Sequence, residues 1–148
     1  MHFAIVGPML AMISILASVH ARGTFDVKVT PQSIPGSPDS TIAAMSIAKQ
    51  YHGDLEGTGS GEMLAHGSGA ANSSGAYVAL EVVKGTLLGK HGTFVLQHAG
   101  TMSGGKISLV ITVVPGSGTG DLAGLSGTMT IIIADAKHSY DFEYSLPQ

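Results

Sequence analysis

The sequence predicts an all-β fold: a closed antiparallel barrel of eight strands, with an apolar leader helix outside the fold at the N-terminus. Three observations lead to this prediction. After Arg22 the apolar residues recur with a period of two, turn residues interrupt them about every 8 to 14 positions, and many of the 21 glycines fall where strands must bend. A β-sandwich stays an alternative, because counting strands does not separate the two architectures.

The leader is the apolar run over residues 3–19, which contains no charged side chain. It ends in small residues around His20, a pattern typical of signal-peptidase cleavage after Ala21. We therefore divide the chain into a leader, residues 1–21, and a barrel domain, residues 22–148. A cleaved leader implies a secreted or periplasmic protein without stable membrane insertion.

Two alternatives for the leader stay open. The true start can lie further along, near Val19 or His20, which would make the protein cytoplasmic. A retained membrane anchor is the other alternative, although the run is barely long enough to span a bilayer.

The first three strands are predicted over residues 23–30, 44–52 and 54–66, with a Pro- and Ser-rich loop after Pro31. The third strand has two contrasting faces. One face carries Asp54, Glu56, Thr58, Ser60 and Glu62, and the other carries Leu55, Gly57, Gly59, Gly61 and Met63. Either face can point inward, since a one-residue change of register exchanges them, but an unpaired buried carboxylate is costly.

The remaining five strands are predicted over residues 76–83, 86–100, 106–114, 127–134 and 137–146. A tight turn is expected at Lys84-Gly85, and a bulge at residues 89–92 is expected to bend the long fifth strand. The last strand alternates most regularly, with Tyr140, Phe142 and Tyr144 on one face. No helical period occurs after the leader.

Composition and spacing exclude several classes of function. Seven Lys and Arg residues against ten acids give a net charge of −3 with no basic cluster, which argues against nucleic-acid binding. The chain has no cysteine, and its histidines lack metal-ligand spacing, so no metal site is predicted. The glycine run at residues 116–120 is explained as a turn because no helix follows it, so no cofactor is predicted.

The candidate site residues are few. Glu62 and His98 are candidate catalytic acids or bases, although His98 shares a face with apolar residues, which favours a hydrogen-bonded core histidine. The candidate ligand-binding residues are Tyr51, Glu56, Tyr140 and Tyr144. A surface ion pair is expected for Glu81, which shares a face with Lys90.

The segment VVPGSGTGDLAGLSGTM, residues 113–129, resembles a hairpin of the plant allene oxide cyclases and the dirigent proteins. Together with GTFDVKVTPQ, HGDLEGTGSGEML, YVALEVVKGTLLGKHGTFVLQHAGTM and HSYDFEYSLP, it makes residues 22–147 similar to a bacterial family known only as a domain of unknown function, number 3224. The resemblance implies an allene-oxide-cyclase-like barrel whose lumen can take a small apolar ligand. It implies no cyclase activity, because no cyclase catalytic residue can be placed here.

Three functions follow as hypotheses. The first is binding of a small hydrophobic or amphipathic ligand in the lumen. The second is an isomerase or cyclase acting on such a ligand through Glu62 or His98. The third is a homo-oligomeric interaction protein without a ligand, which packs through apolar outer residues such as Val110 and Ile132.

Overall fold

The computed structural model describes residues 17–34 and 41–148. The fold is a closed barrel of eight antiparallel strands in sequence order, which confirms the predicted fold class and removes the sandwich alternative. The strands are β1 Val19–Gln32, β2 Ile42–Gly53, β3 Leu55–His66, β4 Gly75–Leu87, β5 Lys90–Ser103, β6 Lys106–Val113, β7 Ser126–Ala134 and β8 Lys137–Ser145. The predicted leader helix falls mainly on residues 1–16, which lie outside the described residues.

The barrel closes where β1 pairs with β8, from Val19 opposite Tyr144 to Phe25 opposite His138. Residues 19–21, assigned to the leader above, therefore belong to the barrel wall, and Ala21 is fully buried. Beyond Phe25, β1 pairs with β2 alone. Pro31 lies in this part of the strand, which has a partner on one side only, as is usual for a proline in a sheet, so the predicted end of the strand at Pro31 is wrong.

The turn between β4 and β5 also differs from the prediction. Gly85 pairs with Gly57 and Gly92 inside the sheet, so neither the predicted turn at Lys84-Gly85 nor the predicted bulge exists there. The chain turns instead at Leu88 and Gly89, which have φ values of 45° and 84°. Two consecutive residues with positive φ form a tight hairpin turn whose twist matches that of the flanking strands. Leucine is rare at such positions, so the sequence does not indicate this turn.

Strand β3 places its glycine face inside the barrel. Leu55 and Gly59 are buried, while Glu56 and Glu62 on the opposite face are exposed. This register keeps the carboxylates of β3 in water, and the glycines allow the side chain of Glu81 and the backbone of β4 to approach closely.

The interior differs between the two ends of the barrel. At one end the connection between β6 and β7 forms a cap, which buries Leu122 and Leu125 beside the start of β5. Next to this cap the lumen is packed with aromatic rings, including the stacked Phe94 and Phe142. At the other end the interior is open. No helix in residues 17–34 and 41–148 is long and apolar enough to cross a membrane.

Candidate ligand-binding site

The open end of the barrel contains a cavity of about 480 Å³. It lies where β2 and β6 begin and where β3 and β5 end. Most of its walls are small or apolar side chains, and such a volume is typical of pockets for small molecules. The lining residues on the strands include Ala43, Met45, Met63, Ala65, Tyr77, Gly100, Met102 and Ile107.

Tyr77 and Gly100 shape the deeper wall of this cavity. The two residues are partners across β4 and β5, and the tyrosine ring lies directly over the glycine. A Cβ atom at position 100 would stand 2.9 Å from Cδ1 of the ring, closer than real Cβ contacts. Because Gly100 has no side chain, the Tyr77 ring can lie against its backbone, where the ring is half-buried at the cavity wall.

A buried polar cluster lies deeper in the lumen and is centred on Glu81. One carboxylate oxygen, Oε2, accepts hydrogen bonds from Lys49 Nζ at 2.8 Å and from His98 Nε2 at 2.9 Å. The other, Oε1, accepts a hydrogen bond from the Tyr51 hydroxyl at 2.7 Å. We call these four residues the Glu81 cluster.

The sequence builds this cluster from inner-face positions on three strands. Lys49 and Tyr51 are two residues apart on β2, Glu81 lies on β4, and His98 lies on β5. Gly59 on β3 supplies the room, because a Cβ atom there would collide with Oε1 of Glu81. Filling the lumen at Gly59 would thus break the cluster rather than occupy the cavity.

Hydrogen bonding keeps the buried carboxyl of Glu81 ionised. Burial alone would raise its pKa, but hydrogen bonds from His98, Lys49 and Tyr51, together with the charge of Lys49, outweigh burial and hold the pKa below its usual range. Burial raises the pKa of the Tyr51 phenol strongly, and the charge and hydrogen bond of Glu81 raise it further. Tyr51 therefore stays a neutral hydrogen-bond donor.

His98 connects the Glu81 cluster to the cavity. It lies two residues from Gly100 on the inner face of β5 and is only 3 % exposed. Its Nε2 bonds to Glu81, whereas its Nδ1 has no hydrogen-bond partner among the described residues. Through the carboxylate of Glu81, the protein fixes the orientation of the His98 ring.

The catalytic candidates from the sequence lie on opposite faces of the barrel wall. His98 belongs to the Glu81 cluster, but Glu62 lies on the outer wall, opposite Ser46 and Leu80 of the neighbouring strands. Glu62 is exposed to solvent, whereas the cavity is inside.

The ligand-binding candidates are likewise divided. Tyr51 lies in the Glu81 cluster, and Glu56 lies outside the barrel, where it accepts a hydrogen bond from the Gly53 N–H at 2.7 Å. The hydroxyl of Tyr140 accepts a hydrogen bond from the backbone N–H of Leu55 at 2.9 Å. Tyr144 is buried, with its ring tilted against Phe142 at a centroid distance of 5.3 Å. None of these four lines the cavity.

Sequence reasoning missed the residue at the centre of the cluster. The expected surface ion pair of Glu81 is wrong, because this side chain is fully buried and its cationic partner is Lys49, not Lys90. The available signal was the alternation of β4, which places Glu81 on the face shared by Tyr77 and Ala79. The alternate face carries Val78, Leu80 and Val82 and is the more apolar of the two.

Those apolar residues of β4 lie on the outside of the barrel. Val78, Leu80 and Val82 are exposed there, as are Leu64 on β3 and Val110 on β6. Ile132 on β7 is exposed as well. The outer wall thus carries the apolar residues on which the oligomer hypothesis depends, and that hypothesis stays a prediction.

The residues 17–34 and 41–148 contain no group of three or more His, Asp or Glu residues arranged to hold a metal ion. The site is therefore defined by an apolar cavity, a tyrosine at its wall and a hydrogen-bonded ion cluster behind it. A small closed β-barrel with a cavity at one end is the class of protein that this fold and site define.

The chain belongs to the family described as "Protein of unknown function (DUF3224)", whose sequence model matches residues 21–144. It is similar to a solved structure, a protein of unknown function from the same family in Shewanella oneidensis MR-1. The identity is 39 %, the TM-score is 0.80, and the match covers 89 % of this chain and all of the other. Among curated proteins, none matches this chain.

Proposed function

We propose that this protein binds a small hydrophobic or amphipathic molecule in the cavity at the open end of its barrel. The single observation that carries the proposal is the cavity itself, about 480 Å³ and lined mostly by small and apolar side chains. Apolar concavities of this size with a few polar groups at their walls are typical of small-molecule sites. The packed aromatic half of the lumen leaves the open end as the place for a ligand.

The proposal includes the allene-oxide-cyclase-like superfamily as the wider grouping of this barrel. The eight-stranded antiparallel closure and the glycine-rich connection at residues 113–129 support that grouping. Proteins that share this barrel are expected to bind their ligands in the lumen, but they need not catalyse the same reaction.

A dye-binding experiment with one cavity-filling variant tests the proposal. Nile red, an apolar dye, is titrated into the protein and its fluorescence gain is measured. Ala65 and Leu64 are neighbours on β3 that face the cavity and the solvent respectively, so they provide a matched pair. Ala65→Phe is expected to weaken dye binding at least tenfold, whereas Leu64→Phe leaves it unchanged.

Two results would refute the binding proposal. One is the absence of saturable dye binding by the unmodified protein. The other is equal binding by both variants, which would place the dye on the outer wall. Circular dichroism of each variant shows whether the barrel has folded.

An isomerase is the second candidate, favoured by the hydrogen bond from His98 Nε2 to the buried Glu81 carboxylate. A carboxylate that orients an imidazole is a recurring arrangement for proton transfer. The reaction class is proton abstraction next to a carbonyl: Nδ1 takes the proton, an enolate forms, and the proton returns to carbon. Deuterium exchange from heavy water into decan-2-one, followed by mass spectrometry, tests this. An exchange rate unchanged by His98→Gln would exclude the role.

A further inference from the structure

Two polar atoms next to the cavity have no hydrogen-bond partner among the described residues. They are the hydroxyl oxygen of Tyr77, which lines the cavity, and Nδ1 of His98, one position deeper on the adjacent strand. Polar atoms that make no hydrogen bond within the protein and lie beside an apolar cavity are suited to bind the polar end of a ligand.

The hydrogen bonds of the Glu81 cluster decide what His98 offers. Glu81 is ionised and can only accept, so Nε2 of His98 carries the hydrogen that is shared with Oε2. Lys49 Nζ lies 2.8 Å from the same oxygen, so the carboxylate of Glu81 already has a cationic partner. In that tautomer Nδ1 has a free lone pair, and it is a hydrogen-bond acceptor.

Tyr77 offers the complementary group. Its ring is held over Gly100, and it precedes Glu81 by four residues on the inner face of β4. Burial raises the pKa of this phenol, and the charge of Glu81 raises it further, so the hydroxyl keeps its proton. Tyr77 can therefore donate a hydrogen bond to a group that sits beside His98.

We infer that Tyr77 and His98 bind the polar end of the ligand, and that this end carries an O–H group, as in an alcohol or a protonated carboxylic acid. The O–H donates to Nδ1 of His98, and an oxygen of the same group accepts from the Tyr77 hydroxyl. An ether or ester of the same length can accept from Tyr77 but has nothing to donate to His98. This inference rests on the proposed function, because it names the ligand class of the same cavity.

The test compares decan-1-ol with decyl methyl ether, two probes that share an apolar chain and differ in the O–H group. Dissociation constants are measured by displacement of Nile red. The unmodified protein is expected to bind the alcohol about two- to tenfold more tightly than the ether, the worth of one buried hydrogen bond.

Two variants separate the roles of the two residues. His98→Met keeps the approximate volume and removes the acceptor, so the preference for the alcohol falls to about onefold. Tyr77→Phe keeps the ring over Gly100 and removes the donor. The affinity for both probes should therefore fall by about the same factor, and the preference for the alcohol should stay. Because Tyr77→Phe leaves the Glu81 cluster intact, it remains informative if His98→Met fails to fold.

The possible outcomes are distinct. If alcohol and ether bind equally to the unmodified protein, and Ala65→Phe weakens both, the head-group inference is overturned while the binding function stands. A preference for the alcohol that survives His98→Met also overturns it. If neither probe displaces the dye, or no dye binds, the proposed function fails and this inference fails with it.

Discussion

Replacing Glu81 by glutamine removes the negative charge that compensates the buried ammonium of Lys49. The Lys49 side chain is only 5 % exposed, and the glutamate oxygen is its charged partner at 2.8 Å. Breaking a buried ion pair from one side costs about 3–5 kcal/mol, because the remaining charge is left in a poorly polar interior. Small domains have free energies of unfolding of about 5–15 kcal/mol, so Glu81→Gln should lose a large part of the total.

The double variant Lys49→Met with Glu81→Leu tests whether the loss comes from the uncompensated charge. It removes both charges, so its free energy of unfolding should exceed that of Glu81→Gln. It should stay below that of the unmodified protein by about 1–3 kcal/mol for each buried donor that loses its acceptor, the Tyr51 hydroxyl and Nε2 of His98. Glu62→Gln is the matched control, since this carboxylate is exposed on the outer wall and should change stability by less than about 0.5 kcal/mol.

Urea unfolding followed by circular dichroism measures these differences. With a slope near 2 kcal/mol per molar urea, a loss of about 4 kcal/mol lowers the midpoint by about 2 M at constant slope. The explanation would be refuted if Glu81→Gln lost less than about 1 kcal/mol, or if the double variant were as unstable as the single one.

The same variants carry a pH signature. The pKa of Glu81 is lowered in the folded state, so its stabilisation is fully present above the unfolded carboxyl pKa of about 4.3 and is lost as the pH falls through the folded pKa. The double variant should lack this part of the acid sensitivity. If the double variant and the unmodified protein lose the same stability as the pH falls below 5, other carboxyl groups cause the acid sensitivity.

Three further predictions concern the barrel wall. Tyr140→Phe leaves the buried Leu55 N–H without its 2.9 Å acceptor and should lower the free energy of unfolding in urea by about 1–3 kcal/mol. Tyr144→Phe loses no side-chain hydrogen bond among the described residues and should lower it by less than about 1 kcal/mol, so equal losses would contradict this explanation. A protein that starts at Arg22 lacks residues 19–21, which pair with β8, so it should unfold at a lower urea concentration than one that starts at Ser18. Each lost backbone hydrogen bond should cost about 0.5–1.5 kcal/mol. Identical midpoints would show that residues 19–21 do not help to close the barrel. Leu80→Asp should change the free energy of unfolding by less than about 0.5 kcal/mol, because this leucine is 58 % exposed, and a large loss would indicate that it is covered in solution.

The period-two alternation predicts the eight strands, because each strand buries one face. It does not separate a closed barrel from a sandwich, which only the pairing of β1 with β8 decides. It located β8 almost to the residue, since His138, Tyr140, Phe142 and Tyr144 leave no doubt about the inner face. Turns were harder to predict. Lys84-Gly85 has the composition of a tight turn, but Gly85 pairs with Gly57 inside the sheet, and the real turn uses Leu88.

The inner face of β4 could not be predicted for a related reason. Its outer residues Val78, Leu80 and Val82 are the more apolar set, so hydropathy alone assigns them to the interior. Glu81 lies inside because partners from β2 and β5 meet its carboxylate, and no local pattern encodes contacts between residues 32 and 17 positions apart. The cavity was beyond prediction for the same reason, since its walls come from five strands.

The position of the Glu81 cluster favours a role in ligand binding in addition to stability. An apolar set of the same volume would stabilise the barrel as well or better, so the ion pair alone gives no advantage in folding. The cluster lies between the packed half of the lumen and the cavity, and its one unpaired ring nitrogen belongs to His98, next to the cavity-lining Gly100. A charged network is costly to bury, but it fixes an imidazole tautomer in a way that apolar side chains cannot. If the double variant Lys49→Met with Glu81→Leu is stable and has lost the preference for decan-1-ol, the cluster serves the ligand rather than the fold; if it keeps that preference, His98 needs no carboxylate to recognise an O–H group.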